Sequence, residues 1–175
     1  PEPIITPSTK AVQGEHDESV APSELYKRGA VDPGLYKELA RISMKLYERG
    51  VARAAEHGMI FVDTKYEFGI SNGKIMLMDE VNTPDSSRYW IKDDYESRFE
   101  KGEEPRKLDK EYVRTWLSEQ GFTGKGTPPK LTDDIRVEAS ARYMEVVEKF
   151  TGEPMQLDVG PVDESIYSIL NPFAY

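Results

Sequence analysis

A run of alternating charges is the part of this sequence best suited to chemistry. Between residues 61 and 69, the two-residue period of a β-strand would place Asp63, Lys65 and Glu67 on one face. An apolar run over 75–78 predicts a second strand that pairs with the first. A lysine between two acids, with a further acid on the neighbouring strand, could hold a divalent cation and an anionic oxygen together.

The turn between the two strands decides whether Asp79 joins these charges. A two-residue turn at 72–73 would send Asp79 to the face opposite Glu67. A three-residue loop over 71–73 would instead place Lys65 opposite Asp79 and gather all the charges on one face. We predict the three-residue loop. The alternative is a surface hairpin whose acids and lysine are merely solvated.

The composition narrows the class of protein. A chain of 175 residues that is 38% hydrophobic and 31% charged is long enough for one globular core and too polar for a membrane protein. No run approaches about 18 apolar residues and nothing at the start resembles a signal peptide, so a cytoplasmic location is expected. The net charge of −9 argues against a general nucleic-acid binder, and the lack of cysteine excludes disulfides and thiolate metal sites.

Three helices are predicted to position these strands. The first begins with Asp32 as its cap and Pro33 in its first turn, and it ends at Gly58. A short helix starts at Asp109, and Thr132 caps the last one. Their apolar stripes are Leu35, Leu39, Ile42, Leu46 and Ala54, then Tyr112, Val113, Trp116 and Leu117, then Ile135, Ala139, Tyr143, Val146 and Phe150. This pattern predicts helices that cover an antiparallel hairpin.

Several motifs in a fixed order resemble the C-terminal half of the phosphoribosylaminoimidazole-succinocarboxamide synthase family, the SAICAR synthetases. The matching stretches are 8–10, 14–18, 63–69, 79–81 and 83–88, followed by Asp109, Lys110 and Arg114. The resemblance covers most of residues 4–150, and the ordered set is far more specific than any single motif.

The resemblance implies roles for the charged residues of the first motifs. It implies that Lys65, Glu67 and Asp79 are catalytic, with Glu67 and Asp79 as ligands of Mg²⁺. It places Lys10 and Asp17 near the nucleotide. On composition alone, the polar segment that contains Lys10 and Asp17 is a hydrophilic connector.

A second group of residues is implied to bind the ribotide substrate. These residues are Asp85, Ser86, Arg88, Lys110 and Arg114. A guanidinium suits phosphate or carboxylate because it can form paired hydrogen bonds. Lys110 and Arg114 lie four residues apart at the start of a helix, where they could cradle a phosphate. Without the resemblance, a solvated basic pair is the plainer interpretation.

The resemblance also implies the architecture. We expect an α+β fold, an antiparallel sheet with flanking helices, as the second lobe of a two-lobed fold related to ATP-grasp and kinase-like nucleotide folds. Residues 1–31 would form an extended leading segment with a nucleotide-site loop, 32–154 the catalytic C-terminal lobe, and 155–175 a tail packed on the body. Nothing in the sequence matches the family's N-terminal ATP-binding lobe, so we expect a chain that is part of a longer enzyme.

The implied reaction is an ATP-dependent ligation in purine synthesis. It joins carboxyaminoimidazole ribotide (CAIR) to L-aspartate through an acyl phosphate, with SAICAR, ADP and phosphate as products. The expected partners are these small molecules and Mg²⁺, with a homo-oligomer as a further option. Two alternatives stay open, namely another Mg-ATP-dependent ligase or phosphotransferase acting on a different acid, and a non-catalytic binding module.

Overall fold

The computed structural model describes residues 2–9, 17–108, 110–155, 161, 166–167 and 171. Over these residues the helices are α1 (Pro22–Lys27), α2 (Pro33–Glu56), α3 (Tyr95–Glu100), α4 (Glu111–Glu119) and α5 (Asp133–Thr151). The strands are β1 (Met59–Thr64), β2 (Glu67–Ser71), β3 (Lys74–Met78) and β4 (Ser87–Ile91). In the described residues they form two antiparallel pairs, β1 with β4 and β2 with β3. The predicted α+β class is confirmed, whereas Lys10, Asp109 and most of the predicted tail lie outside the described residues.

Helix α2 is the longest element and begins where the sequence predicts. The Asp32 carboxylate accepts hydrogen bonds from the backbone amides of Gly34 and Leu35, both at 2.9 Å. Pro33 occupies the first turn, where its missing amide hydrogen costs nothing. After the helix, Gly58 adopts a φ of 67°, which turns the chain directly into β1. As a result α2 packs along β1.

Strands β1 and β4 pair antiparallel around a β-bulge. Phe61 lies opposite Tyr89, whereas Asp63 lies opposite Arg88, so Val62 is an extra residue on β1. A bulge of this kind locally bends the strand and changes the direction of the side chains that follow it. The predicted uniform alternation along 61–69 is therefore interrupted.

The bulge determines which side of β1 faces the core. Phe61 is buried, and an unbroken two-residue period would bury Asp63 with it. Instead, Asp63 remains half-exposed, and the Thr64 hydroxyl lies 2.8 Å from that of the buried Ser87. Tyr47 of α2 donates its hydroxyl to the two carbonyls at the bulge, at 3.0 and 3.2 Å. These bonds satisfy backbone groups that the bulge removes from the ladder.

Two predictions about the β2–β3 hairpin are wrong. The run 61–69 is not one strand, because β1 ends before Lys65 and β2 starts at Glu67. The turn has two residues, Asn72 and Gly73, with φ of 50° and 73°. These positive angles are those of a type I′ turn, which matches the twist of the flanking strands. The predicted three-residue loop is therefore wrong, and Glu67 lies opposite Met78.

The core lies between the β1–β4 sheet and helices α2 and α5. Its buried side chains are Ala54, Met59, Phe61, Tyr89, Ile91, Leu108 and Val146, with Tyr47 and Phe150 packed against them. The ring of Phe61 lies 5.0 Å from that of Tyr89 and 5.2 Å from that of Tyr47. Aromatic contacts at this spacing add to area burial, so this sheet is a rigid support for the loops at its end.

Helix α5 has the predicted ends. The Thr132 hydroxyl accepts a hydrogen bond from the amide of Ile135 at 3.4 Å, and Gly152 ends the helix with a φ of 75°. Its predicted apolar stripe faces inward, with Val146 at the centre. Among the described residues, no helix combines the length and apolarity that a membrane span requires.

One arginine of α5 fixes the start of α4. The Arg142 guanidinium donates to the carbonyl of Lys107 at 2.7 Å and lies 4.1 Å from the ring centre of Tyr112. These two contacts lie on either side of Lys110, which directly precedes α4. The position of Lys110 is thereby set by contacts with the body of the protein.

Candidate active site

An open pocket of about 170 Å³ lies where the base of the β2–β3 hairpin meets the loop 79–86 and the start of α4. Its lining residues are Lys65, Glu67, Asp79, Glu80, Asp85, Ser86 and Lys110. Six of the seven are residues that the sequence analysis selected. The structure therefore brings together side chains from three separate parts of the chain.

Lys65 is a cation that lines the pocket and contacts two carboxylates. Its ammonium lies 2.7 Å from the Glu67 carboxylate and 3.0 Å from that of Asp17. The Glu67 side chain is only 14% exposed, whereas that of Lys65 is 53% exposed. The hydrogen bond that Lys65 donates to Glu67, and then the one it donates to Asp17, raise the pKa of Lys65. The lysine is thus held as a cation that still reaches solvent in the pocket.

The break between β1 and β2 explains the placement of Lys65. It lies in the gap between the two strands, and its backbone amide donates to the Ser86 carbonyl at 3.2 Å. This bond ties the lysine to the loop 79–86. The period of two that the sequence predicted still holds locally, since Lys65 and Glu67 share one side.

Asp79 and Glu80 both line the pocket, although consecutive residues of a strand point to opposite faces. Strand β3 ends at Met78, and Asp79 has a φ of 63°, a left-handed conformation that Asp tolerates better than most residues. This turn ends the alternation, so both carboxylates reach the same side. The strand period, extended through Asp79, did not identify Glu80; two adjacent acids at a strand end were the available signal.

Hydroxyl groups organise the loop that carries these acids. Thr83 donates its hydroxyl to the Glu80 carboxylate and accepts a hydrogen bond from the Ser86 amide at 3.3 Å. The Ser86 hydroxyl lies 3.3 Å from that of Ser87, which is buried at the start of β4. The Glu80 carboxylate is therefore connected through short side chains to the rigid β1–β4 sheet.

Lys110 supplies the second cation of the pocket. Its ammonium lies 3.5 Å from the Asp85 carboxylate, and both side chains are about half-exposed. Because Lys110 precedes the first turn of α4, the positive end of the helix dipole lies beside its charge. A phosphate or carboxylate entering here would meet a lysine at the N-terminus of a helix.

The charge balance of the pocket favours a divalent cation. Its lining has four carboxylates and two lysines, so an anionic substrate would meet net negative charge. No group of three or more acids, histidines or cysteines forms a ready metal site among the described residues. Mg²⁺ commonly takes only one or two carboxylates and completes its octahedron with phosphate oxygens and water. Glu67 and Asp79 fit that donor set.

Two predicted substrate ligands have other partners. The Arg88 guanidinium forms paired hydrogen bonds with the Asp63 carboxylate, the first at 2.8 Å. Arg114 pairs with Glu111 one turn earlier on α4. Neither arginine lines the pocket. Asp17 contacts the pocket through Lys65, and the structure does not describe the predicted nucleotide residue Lys10.

Comparison with curated proteins finds close relatives. The model of the SAICAR synthetase family matches residues 1–130. The phosphoribosylaminoimidazole-succinocarboxamide synthase of Bacteroides thetaiotaomicron is 52% identical over 155 residues, which is 87% of this chain and 49% of that protein. That of Cytophaga hutchinsonii is 48% identical over 155 residues, 87% of this chain and 50% of the relative. The chain thus spans about half the length of the curated relatives it matches.

Solved structures give the same result. The SAICAR synthase from Saccharomyces cerevisiae complexed with SAICAR is 37% identical and superposes with a TM-score of 0.71 over 90% of this chain and 49% of that chain. A SAICAR synthetase in complex with ADP is 27% identical, with a TM-score of 0.57 over 81% of this chain and 48% of that chain. The family match, the identities and the shared architecture lead to one conclusion: this chain belongs to the SAICAR synthetase family.

Proposed function

We propose that the protein to which this chain belongs joins CAIR to L-aspartate at the expense of ATP and releases SAICAR, ADP and phosphate. The observation that carries the proposal is the convergence of Lys65, Glu67, Asp79 and Lys110 on one open pocket. The pocket holds both kinds of group that phosphoryl transfer needs, carboxylates for a metal ion and cations for anionic oxygens. The names of the relatives support the choice of substrates.

The proposed reaction has two displacements and no covalent bond to the protein. The CAIR carboxylate attacks the γ-phosphorus of ATP, so a new C–O–P linkage forms as the bond to the β,γ-bridging oxygen breaks and ADP leaves. The amine of L-aspartate then attacks the acyl carbon, the C–N bond forms, phosphate departs with the C–O electrons, and the nitrogen loses a proton to solvent. Both steps depend mainly on alignment and charge stabilisation, which fixed side chains supply.

The acids and the lysines of the pocket would have different roles in these two steps. Glu67 and Asp79 would hold Mg²⁺, which when bound would supply positive charge to neutralise the charge that builds on the phosphate oxygens. Lys65, fixed beside Glu67, would stabilise the transferring phosphoryl group or the attacking carboxylate. Asp17, which contacts Lys65, would lie at the nucleotide side together with Lys10.

The remaining predicted residues would orient the ribotide. Lys110 at the start of α4 would contact its phosphate, with Asp85 and Ser86 beside it. Arg88 and Arg114, which pair with Asp63 and Glu111, would also orient the ribotide, because a guanidinium suits its phosphate or carboxylate. In this proposal the catalytic part spans 32–154, after a leading segment over 1–31. The homo-oligomer, the cytoplasmic location and the packing of the 155–175 tail stay predictions.

The test is ADP release by the protein as its gene encodes it, with Mg-ATP, CAIR and L-aspartate, each omitted in turn. We expect release to need ATP and CAIR, and SAICAR formation to need all three. Glu67→Gln should lower kcat at least about 100-fold, because it removes a charge that acts on the transferring group. Glu96→Gln, an exposed acid of α3 outside the pocket, is the matched control and should keep full activity.

Each contrary outcome has a definite meaning. Full activity of Glu67→Gln would remove the metal assignment. Turnover with a different acid or amine, but none with CAIR and aspartate, would favour the other Mg-ATP-dependent ligase or phosphotransferase. ATP binding without any turnover would favour the binding module.

A further inference from the structure

Asn82 lies in the middle of the loop 79–86 and is held by two tyrosines, one between β1 and β2 and the other in β4. The Tyr66 hydroxyl donates to the side-chain oxygen of Asn82 at 2.7 Å. The Tyr89 hydroxyl donates to its backbone carbonyl at 2.5 Å, and Tyr89 is only 1% exposed. Burial raises the pKa of Tyr66 to about 12 and also raises that of Tyr89, so both remain donors at neutral pH.

Helix α2 also makes room for this residue. A Cβ atom at the buried Gly50 would lie 2.9 Å from the Asn82 side-chain nitrogen and 2.7 Å from the ring of Phe61. The absence of a side chain at Gly50 thus lets α2, β1 and the loop meet closely. The amide of Asn82 is enclosed from one side by the helix and held from the other by Tyr66.

The backbone of Asn82 is constrained as well. Its φ is 59°, in the left-handed region that Asn adopts more readily than most residues. Asp79, three residues earlier, has a φ of 63°. Two left-handed residues so close together reverse the chain as it leaves β3. The direction of the carboxylates of Asp79 and Glu80 therefore depends on the point at which the loop is anchored.

We propose that Asn82 is a positioning residue, which anchors the loop 79–86 on the core through Tyr66 and Tyr89 and so aims Asp79 and Glu80 into the pocket. Its contribution to activity rests on the proposed function, since it acts through Asp79, which is assigned there to the metal. Its contribution to loop order rests on geometry alone.

The first measurement is hydrogen–deuterium exchange of the metal-free protein, as its gene encodes it. The variants are Asn82→Gly, which keeps the left-handed backbone and loses the amide, and Tyr66→Phe, which keeps the ring and loses the donor. Each should raise the exchange rate of the 79–86 amides about tenfold and leave β1 unchanged. The double variant should be no worse than the worse single variant, because both remove the same hydrogen bond.

The second measurement is the Mg²⁺ concentration that half-saturates ADP release. Groups that orient metal ligands typically change metal affinity 10- to 100-fold when lost, and a misplaced Asp79 would weaken metal binding, so we expect an increase of about tenfold in Asn82→Gly and Tyr66→Phe. A purely structural role would lower the melting temperature without moving this concentration. Asn72→Gly is the matched control, since Asn72 is also left-handed but lies in the exposed hairpin turn.

The outcomes separate the two proposals. Unchanged exchange over 79–86, or additive effects in the double variant, would overturn the anchoring by Asn82. Increased exchange with an unchanged Mg²⁺ requirement would overturn the positioning of the acids. If wild-type protein released no ADP with all three substrates, the proposed function would fail, and exchange over 79–86 would still decide whether Asn82 anchors the loop.

Discussion

Among single residues, Lys65 is the one on which the charge balance of the pocket most depends. Its ammonium contacts Glu67 at 2.7 Å and Asp17 at 3.0 Å, and the Glu67 side chain is only 14% exposed. We expect Lys65→Met to lower the free energy of unfolding by about 1–2 kcal/mol, because a mostly buried carboxylate loses its charged hydrogen-bond partner. Urea unfolding followed by circular dichroism measures this change at pH 7.

The control for this variant is Lys74→Met. Lys74 is an exposed lysine at the start of β3, outside the pocket. Its substitution should change the free energy of unfolding by less than about 0.5 kcal/mol, as surface substitutions usually do. Equal effects of the two substitutions would mean that the Lys65 contacts contribute nothing specific.

The pH dependence of the Lys65 contribution follows from the same contacts. The hydrogen bonds that Lys65 donates to Glu67 and Asp17 raise its pKa above the ordinary value of 10.5. A raised pKa in the folded state means that the stabilisation is complete below the unfolded-state pKa and is lost as pH rises through the folded-state pKa. The difference in unfolding free energy between wild type and Lys65→Met should stay constant from about pH 7 to 9 and shrink only above about 10.5. A difference that falls between pH 7 and 9 would contradict this.

Residue types, together with the resemblance of the ordered motifs to a known family, were enough to select six of the seven residues that line the pocket. They could not identify Glu80 or Asn82. Both depend on left-handed backbone at Asp79 and Asn82, which a period of two cannot represent. Nor could they show that Arg88 meets Asp63, since that contact depends on the pairing of β1 with β4.

At the scale of elements, the contact between α2 and β1 predicts that a glycine-to-alanine substitution in a helix will destabilise the protein, whereas such a substitution usually stabilises it. Replacing a helical glycine by alanine normally stabilises a protein by about 1 kcal/mol. At Gly50 a Cβ atom would lie 2.7 Å from the ring of Phe61, which is 3% exposed, and 2.9 Å from Asn82. We therefore expect Gly50→Ala to destabilise the protein by about 1–3 kcal/mol, the usual cost of overpacking, in thermal or urea unfolding.

Ala52→Gly on the same helix is the matched control. Ala52 is exposed, so this substitution reports only the intrinsic preference of a helix for alanine and should cost about 1 kcal/mol. Destabilisation by both opposite substitutions would confirm that close packing, rather than helix propensity, governs position 50. A stabilised Gly50→Ala would show that Phe61 and Asn82 can move without cost.

The starts of α2 and α5 could be predicted, whereas α1, α3 and the paths of the strands could not. Asp32, Thr132 and Gly152 act through local hydrogen bonds and backbone preferences, which the sequence displays directly. The bulge at Val62 allows Phe61 to be buried while Asp63 is half-exposed. In the sequence, the only sign of the bulge was that a regular strand would place both residues on the same face. Tertiary contacts with Tyr47 decide its outcome.

At the scale of the whole molecule, the two sheets differ in how firmly they are supported. The β1–β4 sheet is packed under α2 and contributes four of the buried core residues, Met59, Phe61, Tyr89 and Ile91. The β2–β3 hairpin packs mainly within itself and leaves apolar side chains exposed, among them Ile70 at 56% and Met76 at 49%. A two-stranded hairpin with so little cover is marginally stable. The pocket therefore joins a rigid part of the molecule to a weakly supported one.

This difference in support predicts that, in the 175-residue chain, the β2–β3 hairpin opens more readily than the β1–β4 sheet. Amides of 67–78 should exchange with deuterium roughly 100-fold faster than those of β1 and β4, because local openings cost far less than global unfolding where few apolar contacts are lost. Gly73→Ala sharpens the test, since Gly73 has a φ of 73° and an alanine there costs about 1–2 kcal/mol. It should speed exchange in the hairpin and leave the β1–β4 sheet unchanged. Equal protection of both sheets, or faster exchange in both with Gly73→Ala, would mean that they open as one cooperative unit, and the pocket would then be rigid on both sides.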